Sequence, residues 1–261
     1  MLPHHQMTAT IRLAKRVAQE FACSRSQAQG YIEGAWVTVD GVICEEPGMH
    51  VAPEQVVVLL AGATSEPAEP VTFLLHKPSG LPAKNGLLAA DDALMGLLCA
   101  ENRQVAVDVW TQERFLRRHL QQLQLLAALD TVASGLLVLT QDYRVERKLR
   151  DASASLEQEY VVKISGVVLP ELRPEYLQQI QQRNQQHIKP LAGLKISWQS
   201  EAQLRLVFKG GLQGEFLGAI EKICSLPDWR VAAIHRLRLG RISLAGLTTD
   251  QWRFLRPQER F

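Results

Sequence analysis

The chain has little cysteine, no long hydrophobic run and almost no net charge, and each lack removes a class of protein. Its four cysteines, Cys23, Cys44, Cys99 and Cys224, stand singly. That spacing gives neither a disulfide framework nor a metal knuckle or redox pair, and it reads as free thiols in a reducing compartment. The longest apolar run, Val56 to Ala61, is far too short to cross a bilayer. The opening Met1-Leu2-Pro3-His4-His5-Gln6 has no apolar signal core, so a cytoplasmic protein without a membrane partner is expected. A formal charge of +2 excludes a globally cationic binder, and any nucleic-acid contact must come from local basic faces. The histidines show no metal-ligand spacing, so no metal is expected.

What is present suffices for a core. With 261 residues, 46% hydrophobic and 21% charged, the chain is expected to form two units. From Ile11 to Phe21, Leu13, Val17 and Phe21 recur every fourth position while Arg12, Lys15 and Arg16 gather opposite, the pattern of an amphipathic helix. Ser24 with Gln27 reads as a capping box opening a second helix, which Gly34 closes. Trp36-Val37-Thr38-Val39, Asp40-Gly41 and Val42-Ile43 read as two strands joined by a tight turn with positive φ, and Val56 to Leu60 as a third strand. Residues 61–70 shift to Ala, Gly, Ser, Glu and Pro and are expected to be a linker between a first domain over 9–60 and a second over 71–257.

In the second domain, strand-like runs at Val71 to Leu75, Leu136 to Thr140, Tyr160 to Ile164, Leu204 to Phe208 and Arg236 to Ile242 alternate with helical patterns. This predicts an α+β fold on a mixed, mostly antiparallel sheet. A helix near Asp142 to Arg150 should bury Val145 and Leu149, and Gln178 to Gln186 should be an exposed helix. Asp91-Asp92 should cap a helix through Leu94 and Leu97.

Three features could carry chemistry. Arg12, Lys15, Arg16 and Arg25 would line adjacent helix faces and could neutralise phosphates of a structured RNA. Asp130 lies between aliphatic runs, where burying a lone carboxylate is expensive; it is either catalytic or a turn-capping residue that bonds the backbone at Ser134-Gly135. At the C-terminal end, seven arginines from Arg230 to Arg260 face only Asp250 and Glu259. Arg236 and Arg238 are expected to share one displayed strand face there. Gly210, Gly211 and Gly214 before the helix of Phe216, Ile220 and Ile223 are either a phosphate cradle or a plain loop.

Two resemblances order these features. Arg12-Leu13, Ser24-Arg25-Ser26-Gln27-Ala28 and Ile32-Glu33-Gly34-Ala35-Trp36-Val37-Thr38-Val39-Asp40-Gly41 resemble the RNA-binding domain named after small-subunit ribosomal protein S-four. Lys77-Pro78-Ser79-Gly80, Leu129-Asp130 with Ser134-Gly135-Leu136, Glu159-Tyr160-Val161-Val162 and the ending Arg236 to Leu244 with Gln251-Trp252-Arg253 resemble rRNA pseudouridine synthases of the RsuA and RluF branch. The resemblance implies isomerisation of a uridine in structured rRNA, expected in the large subunit, by a cofactor-free monomeric enzyme whose partner is rRNA. It also implies that Asp130 is the catalytic carboxylate and that Tyr160 packs against the target uracil. Lys77, Arg238 and Arg241 join Arg12, Lys15, Arg16 and Arg25 as expected RNA contacts.

The chain departs from the branch where Gly-Arg before Leu-Asp is replaced by Ala127-Ala128, and where a basic segment with an arginine beside the catalytic aspartate is replaced by 209–218. Lys209 and Arg236 are the expected substitute cations, and the competing reading is an RNA-binding protein of the same fold without turnover, acting in rRNA processing or ribosome assembly.

Overall fold

A computed structural model describes residues 10–67, 69–104, 114–210, 212 and 216–261. The described chain falls into two compact units, one of residues 1–70 with 113–121 and one of 71–112 with 122–261.

The first unit runs β1 (Ile11–Arg12), α1 (Leu13–Glu20), α2 (Arg25–Glu33), β2 (Val37–Val39), β3 (Val42–Ile43), β4 (His50–Val51) and β5 (Val57–Leu59). Its core joins Leu13, Val17, Ala28, Ile32, Val37, Val39 and Val51, so the four-residue period of α1 does face inward. Arg12 precedes that helix instead of belonging to it, because it pairs with His50 in a two-strand ladder. The capping box forms: Gln27 N donates to Ser24 Oγ at 3.2 Å and Ser24 N to Gln27 Oε1 at 2.9 Å. Replacing Ser24 with Ala removes one of these bonds and should lower the stability of this unit by about 1 kcal/mol in denaturant melts. Asp40 and Gly41 take φ of 52° and 83°, as the turn between β2 and β3 demands. The later segment 114–121 packs within this unit, with the Arg114 guanidinium 3.8 Å from the Trp36 ring centroid and donating to Ala35 O at 2.9 Å.

The second unit runs β6 (Thr72–Lys77), β7 (Gly86–Leu87), β8 (Gln124–Leu126), β9 (Ser134–Thr140), α3 (Tyr143–Asp151), β10 (Glu157–Gly166), α4 (Arg173–Gln186), β11 (Ala192–Ser200), β12 (Gln203–Lys209), α5 (Phe216–Cys224), β13 (Trp229–Leu239), β14 (Ile242–Ser243) and β15 (Trp252–Phe254). Its sheet has the order β11-β12-β10-β13-β9-β6-β15, with β14 on β13 and the β7–β8 pair on β9. Among the named strands of the described residues the β13–β9 pairing is parallel and the other pairings are antiparallel, so the expected mixed, mostly antiparallel sheet is what forms. α3 starts on Asp142, whose carboxylate accepts from Arg144 N at 2.8 Å, and it buries Leu149 with Val145 partly covered. Asp92 accepts from Leu94 N at 2.9 Å in the loop, but the expected capped helix is a single 3₁₀ turn over Met95–Leu97 that starts on Leu94 without a side-chain cap. The glutamine-rich helix is longer than expected and is not wholly exposed, since Tyr176, Ile180 and Asn184 form a buried stripe at four-residue spacing.

The parallel contact depends on one glycine. Gly135 has φ of 119° and stands opposite Arg236, so close that a Cβ would collide with the Arg236 backbone. Gly135→Ala therefore adds both left-handed strain and a backbone clash. We expect a loss of at least about 2 kcal/mol, read as a lowered denaturation midpoint.

Candidate active site

Asp130 sits on the loop between β8 and β9, and this loop is pinned from three directions. Lys77, at the end of β6, is fully buried, and its Nζ donates to Pro78 O at 2.8 Å, Thr131 O at 3.3 Å and Ala133 O at 2.7 Å. The segment after it adds Gly80 N to Thr131 O at 2.7 Å and Ser79 Oγ to Val132 O at 2.8 Å. Leu129 N donates to Ala83 O at 3.0 Å, and Ala128 N to Asn85 Oδ1 at 2.6 Å. From β13, Arg236 donates through Nε to Leu136 O at 2.9 Å, and through Nη2 to Leu136 O at 2.7 Å and Ala127 O at 2.6 Å. Its Nη1 reaches Ala128 O at 3.2 Å. Ala127, standing where the branch has glycine, takes φ of 60°, the conformation for which glycine is the natural choice.

The result is a rigid collar with the Asp130 side chain exposed above it. Asp130 does not have the buried carboxylate that its aliphatic flanks suggested, because the flanks bury their own side chains into the sheet while the turn lifts the aspartate out. Nor is it a turn cap toward Ser134-Gly135: the turn closes through the backbone, Ala133 N to Asp130 O at 3.2 Å. No described residue donates a hydrogen bond to its carboxylate.

Tyr160 lies across from Arg236 in the β10–β13 ladder. It is buried, its hydroxyl donates to Gln158 Oε1 at 2.9 Å, and its ring is parallel to Phe208 at 5.4 Å between centroids. Burial pushes the phenol pKa up, while the nearby Arg236 charge pulls it down and the Asp130 charge pushes it up again. Both of those charges also reach Lys77, whose pKa falls to about 8, first through burial, next through Arg236, with Asp130 opposing. Asp130, Arg236, Lys77 and Tyr160 are therefore one electrostatic neighbourhood.

The shift at Lys77 has a defined sign. Between about 8 and the ordinary value of 10.5, the unfolded chain holds a proton that the folded chain has released, so this group's contribution to stability rises with pH across that window. Wild type should gain stability relative to Lys77→Met between pH 8 and 10, measured by urea melts of both proteins.

Several expected RNA contacts change role. Lys77 is not available to a phosphate, because its amino group is enclosed by three carbonyls. Arg236 and Arg238 do not share a face. Opposite them the ladder reads Tyr160 and Glu159, consecutive residues, so a bulge at Leu237 shifts the phase and turns Arg236 inward while Arg238 faces out. Lys209 pairs with Glu157 on that outward face, away from Tyr160 and Asp130. Of the two substitute cations, only Arg236 belongs to the site.

Arg12, Lys15 and Arg25 are exposed and line a groove of about 490 Å³ with Gln19 and His50. Arg16 is drawn aside by Glu20 and Pro53 O. Arg241 is exposed in the turn after β13. Gly211 and Gly214 of the candidate phosphate cradle lie outside the described residues. Asn85 and Gln158 were missed by sequence reasoning; Asn85-Gly86 reads only as a turn, and Gln158 only as a polar residue in a strand. Among the described residues no three His, Cys, Asp or Glu side chains gather as metal ligands.

Residues 11–57 match the S4 domain model. The chain is similar to the ribosomal small subunit pseudouridine synthase A of Salmonella typhimurium, 25% identical over 251 residues that cover 95% of this chain and 98% of that protein. It is similar to the ribosomal large subunit pseudouridine synthase B of Bacillus subtilis, 31% identical over 161 residues, 62% of this chain and 58% of that one. Its fold resembles a crystal structure of a pseudouridylate synthase, with a TM-score of 0.51 at 18% identity over 94% of this chain and 96% of the other. The expected resemblance is thus present in both parts of the chain.

Proposed function

We propose that this chain, an S4 domain followed by a pseudouridine synthase domain, isomerises a uridine of structured rRNA with Asp130 as the catalytic carboxylate. The observation that carries this reading is the collar: Lys77, Arg236 and Asn85 all bond the backbone of the loop that presents Asp130, which fixes one exposed carboxylate beside a buried cation and a buried aromatic ring.

The reaction breaks the bond from uracil N1 to the ribose and makes one from carbon five, releasing the proton at that carbon. Nothing is oxidised, and no cofactor enters the balance. A carboxylate in this position can attack the sugar as a nucleophile or take a proton from the ribose as a base. Because the target base must leave its stack to reach it, the Asp130 side chain standing clear of the sheet is suited to a base brought in from solvent. Tyr160, fixed by Phe208 and Gln158, supplies an apolar aromatic wall. Arg236 takes the part of the branch's missing arginine. Its N–H groups hold the loop and set a positive charge against the backbone that presents Asp130. A cation restored from β13 removes the main reason to read the chain as a binder without turnover.

The S4 domain would hold the RNA through Arg12, Lys15 and Arg25 around their groove, with Arg16 behind them. Arg238 and Arg241, both outside the collar, would add phosphate contacts. We assign the uridine to large-subunit rRNA, on the higher identity to the Bacillus large-subunit enzyme. The test is incubation with unmodified transcripts of both rRNAs, followed by mapping of pseudouridine. Modification at one large-subunit position is expected; modification confined to the small-subunit transcript overturns the subunit assignment.

A further inference from the structure

Strands β11, β12, β10 and β13 carry α4 and α5 on one side, where Trp198 Nε1 donates to Arg173 O and Phe208 packs edge-on to Phe216. Tyr160, Val162, Leu204, Leu206, Phe208 and Ile234 are buried on the side of α4 and α5. The ladder places the alternate residues on the reverse: Val161 opposite Arg205, Lys163 opposite Gln203, Glu159 opposite both Val207 and Arg238, Lys195 opposite Val207, and Ser197 opposite Arg205. There Lys163, Lys195, Ser197, Arg205 and Ala233 are all exposed. Val161 and Val207 between them are buried at 8% and 7% exposure, so the exposed part of this face is formed by the long polar side chains around them.

This open face is basic. Lys163, Lys195, Arg205, Lys209 and Arg238 stand against Glu157 and Glu159, five cations to two carboxylates. The central carboxylate also orders the cations around it. Glu159 accepts from Arg205 Nε at 2.7 Å through one oxygen and from Arg238 Nε at 3.0 Å through the other. One acid on β10 thus holds a guanidinium from each flanking strand by its Nε; the Nη groups of Arg238 go to Glu157 and Gly240 O, whereas those of Arg205 have no partner among the described residues. Arg forks fixed in this way suit phosphate oxygens. The exposed part of the face has no tyrosine, tryptophan or phenylalanine, so it is built for a backbone and not for stacked bases.

We propose that this reverse face of the sheet is a second RNA surface, which holds phosphates of rRNA flanking or distant from the segment at Asp130. The inference rests on the reading of rRNA as substrate, and it concerns a face that the collar and the S4 groove do not use. A long polyanion that enters by the catalytic side has strand to spare, and an exposed basic rim with three excess cations attracts it without reading its sequence.

The test uses the full chain carrying Lys163→Gln, Lys195→Gln and Arg205→Gln together, with Lys163→Gln plus Lys195→Gln as a second variant that leaves the Glu159 clamp intact. Affinity is measured against salt for a long rRNA transcript and for a short hairpin. The triple variant should bind the long transcript about tenfold more weakly, with a salt slope reduced by about two to three ions, while hairpin affinity stays as in wild type. The double variant should show the same change at a smaller size. Unchanged affinity and slope on the long transcript, in variants that melt like wild type, overturn the proposal and leave the face to another partner such as an acidic protein surface. Because the readout is binding, it stands apart from isomerisation: a wild type that turns over no RNA would refute the enzyme while leaving this surface intact.

Discussion

Asp130→Asn should reduce turnover by at least about a thousandfold, equivalent to about 4 kcal/mol of transition-state stabilisation, while fold and RNA affinity stay at wild-type values. The separation of these effects comes from the site's construction. The Asp130 side chain is exposed and accepts no hydrogen bond from a described residue, and the loop around it is held through backbone groups by Lys77, Ser79, Asn85 and Arg236. An amide of the same shape therefore disturbs no packing and leaves no buried group unpaired. On the proposed assignment it removes the nucleophile or base and nothing else. The comparison calls for label release from carbon five of uridine, a thermal melt, and a filter-binding titration on the same preparations. A variant that loses turnover only in proportion to lost stability would place Asp130 in the architecture and not in the chemistry.

Arg236→Leu should damage both stability and turnover. The guanidinium is 1% exposed and donates to the carbonyls of Leu136, Ala127 and Ala128. Leucine fills much of the volume but strips three buried or partly buried carbonyls of a charged donor. That should destabilise the fold by about 3 kcal/mol. Turnover measured well below the melting temperature should fall about a hundredfold, because the loop that presents Asp130 loses its charged anchor and drifts from the productive geometry. Arg236→Lys separates the two roles. It returns the charge as a point without the planar fork, so turnover should recover more fully than stability. Equal losses in both variants would mean that geometry alone matters at this position.

The parts of the molecule that were legible in the sequence are those where one local pattern met no competing constraint. The capping box at Ser24, the Asp40-Gly41 turn and the core period of Leu13 and Val17 were all readable because each is specified within a few residues. β11 carries the same kind of signal in Leu194, Ile196 and Trp198 alternating with Lys195 and Ser197, but as an edge strand with little buried surface it lacks the continuous apolar run that marked β9. Of the candidate residues the sequence singled out, the fold brings Asp130, Tyr160, Lys77 and Arg236 into one neighbourhood and leaves Lys209 outside it, and what each contacts was not legible. Alternation along β13 put Arg236 and Arg238 on one face, and only the bulge at Leu237, set by pairing with β10, sends one inward and the other out. Lys77 read as a cation for RNA because a sequence cannot show that the carbonyls of Thr131 and Ala133, more than fifty residues on, close around its amino group. The bulge and the carbonyl clamp arise from contacts distant in sequence, which is why the sequence could not choose between Lys209 and Arg236 as the substitute cation.

The central claim is that the collared carboxylate performs an isomerisation that needs only protein and RNA. Its most direct test is to incubate the purified wild-type chain, with no added cofactor and with chelator present, with unmodified rRNA transcripts labelled at carbon five of uridine, and to follow release of the label. Release is expected to rise to about one equivalent per transcript, with one pseudouridine formed for each label lost. Tight binding of both rRNAs with no label released from either contradicts it.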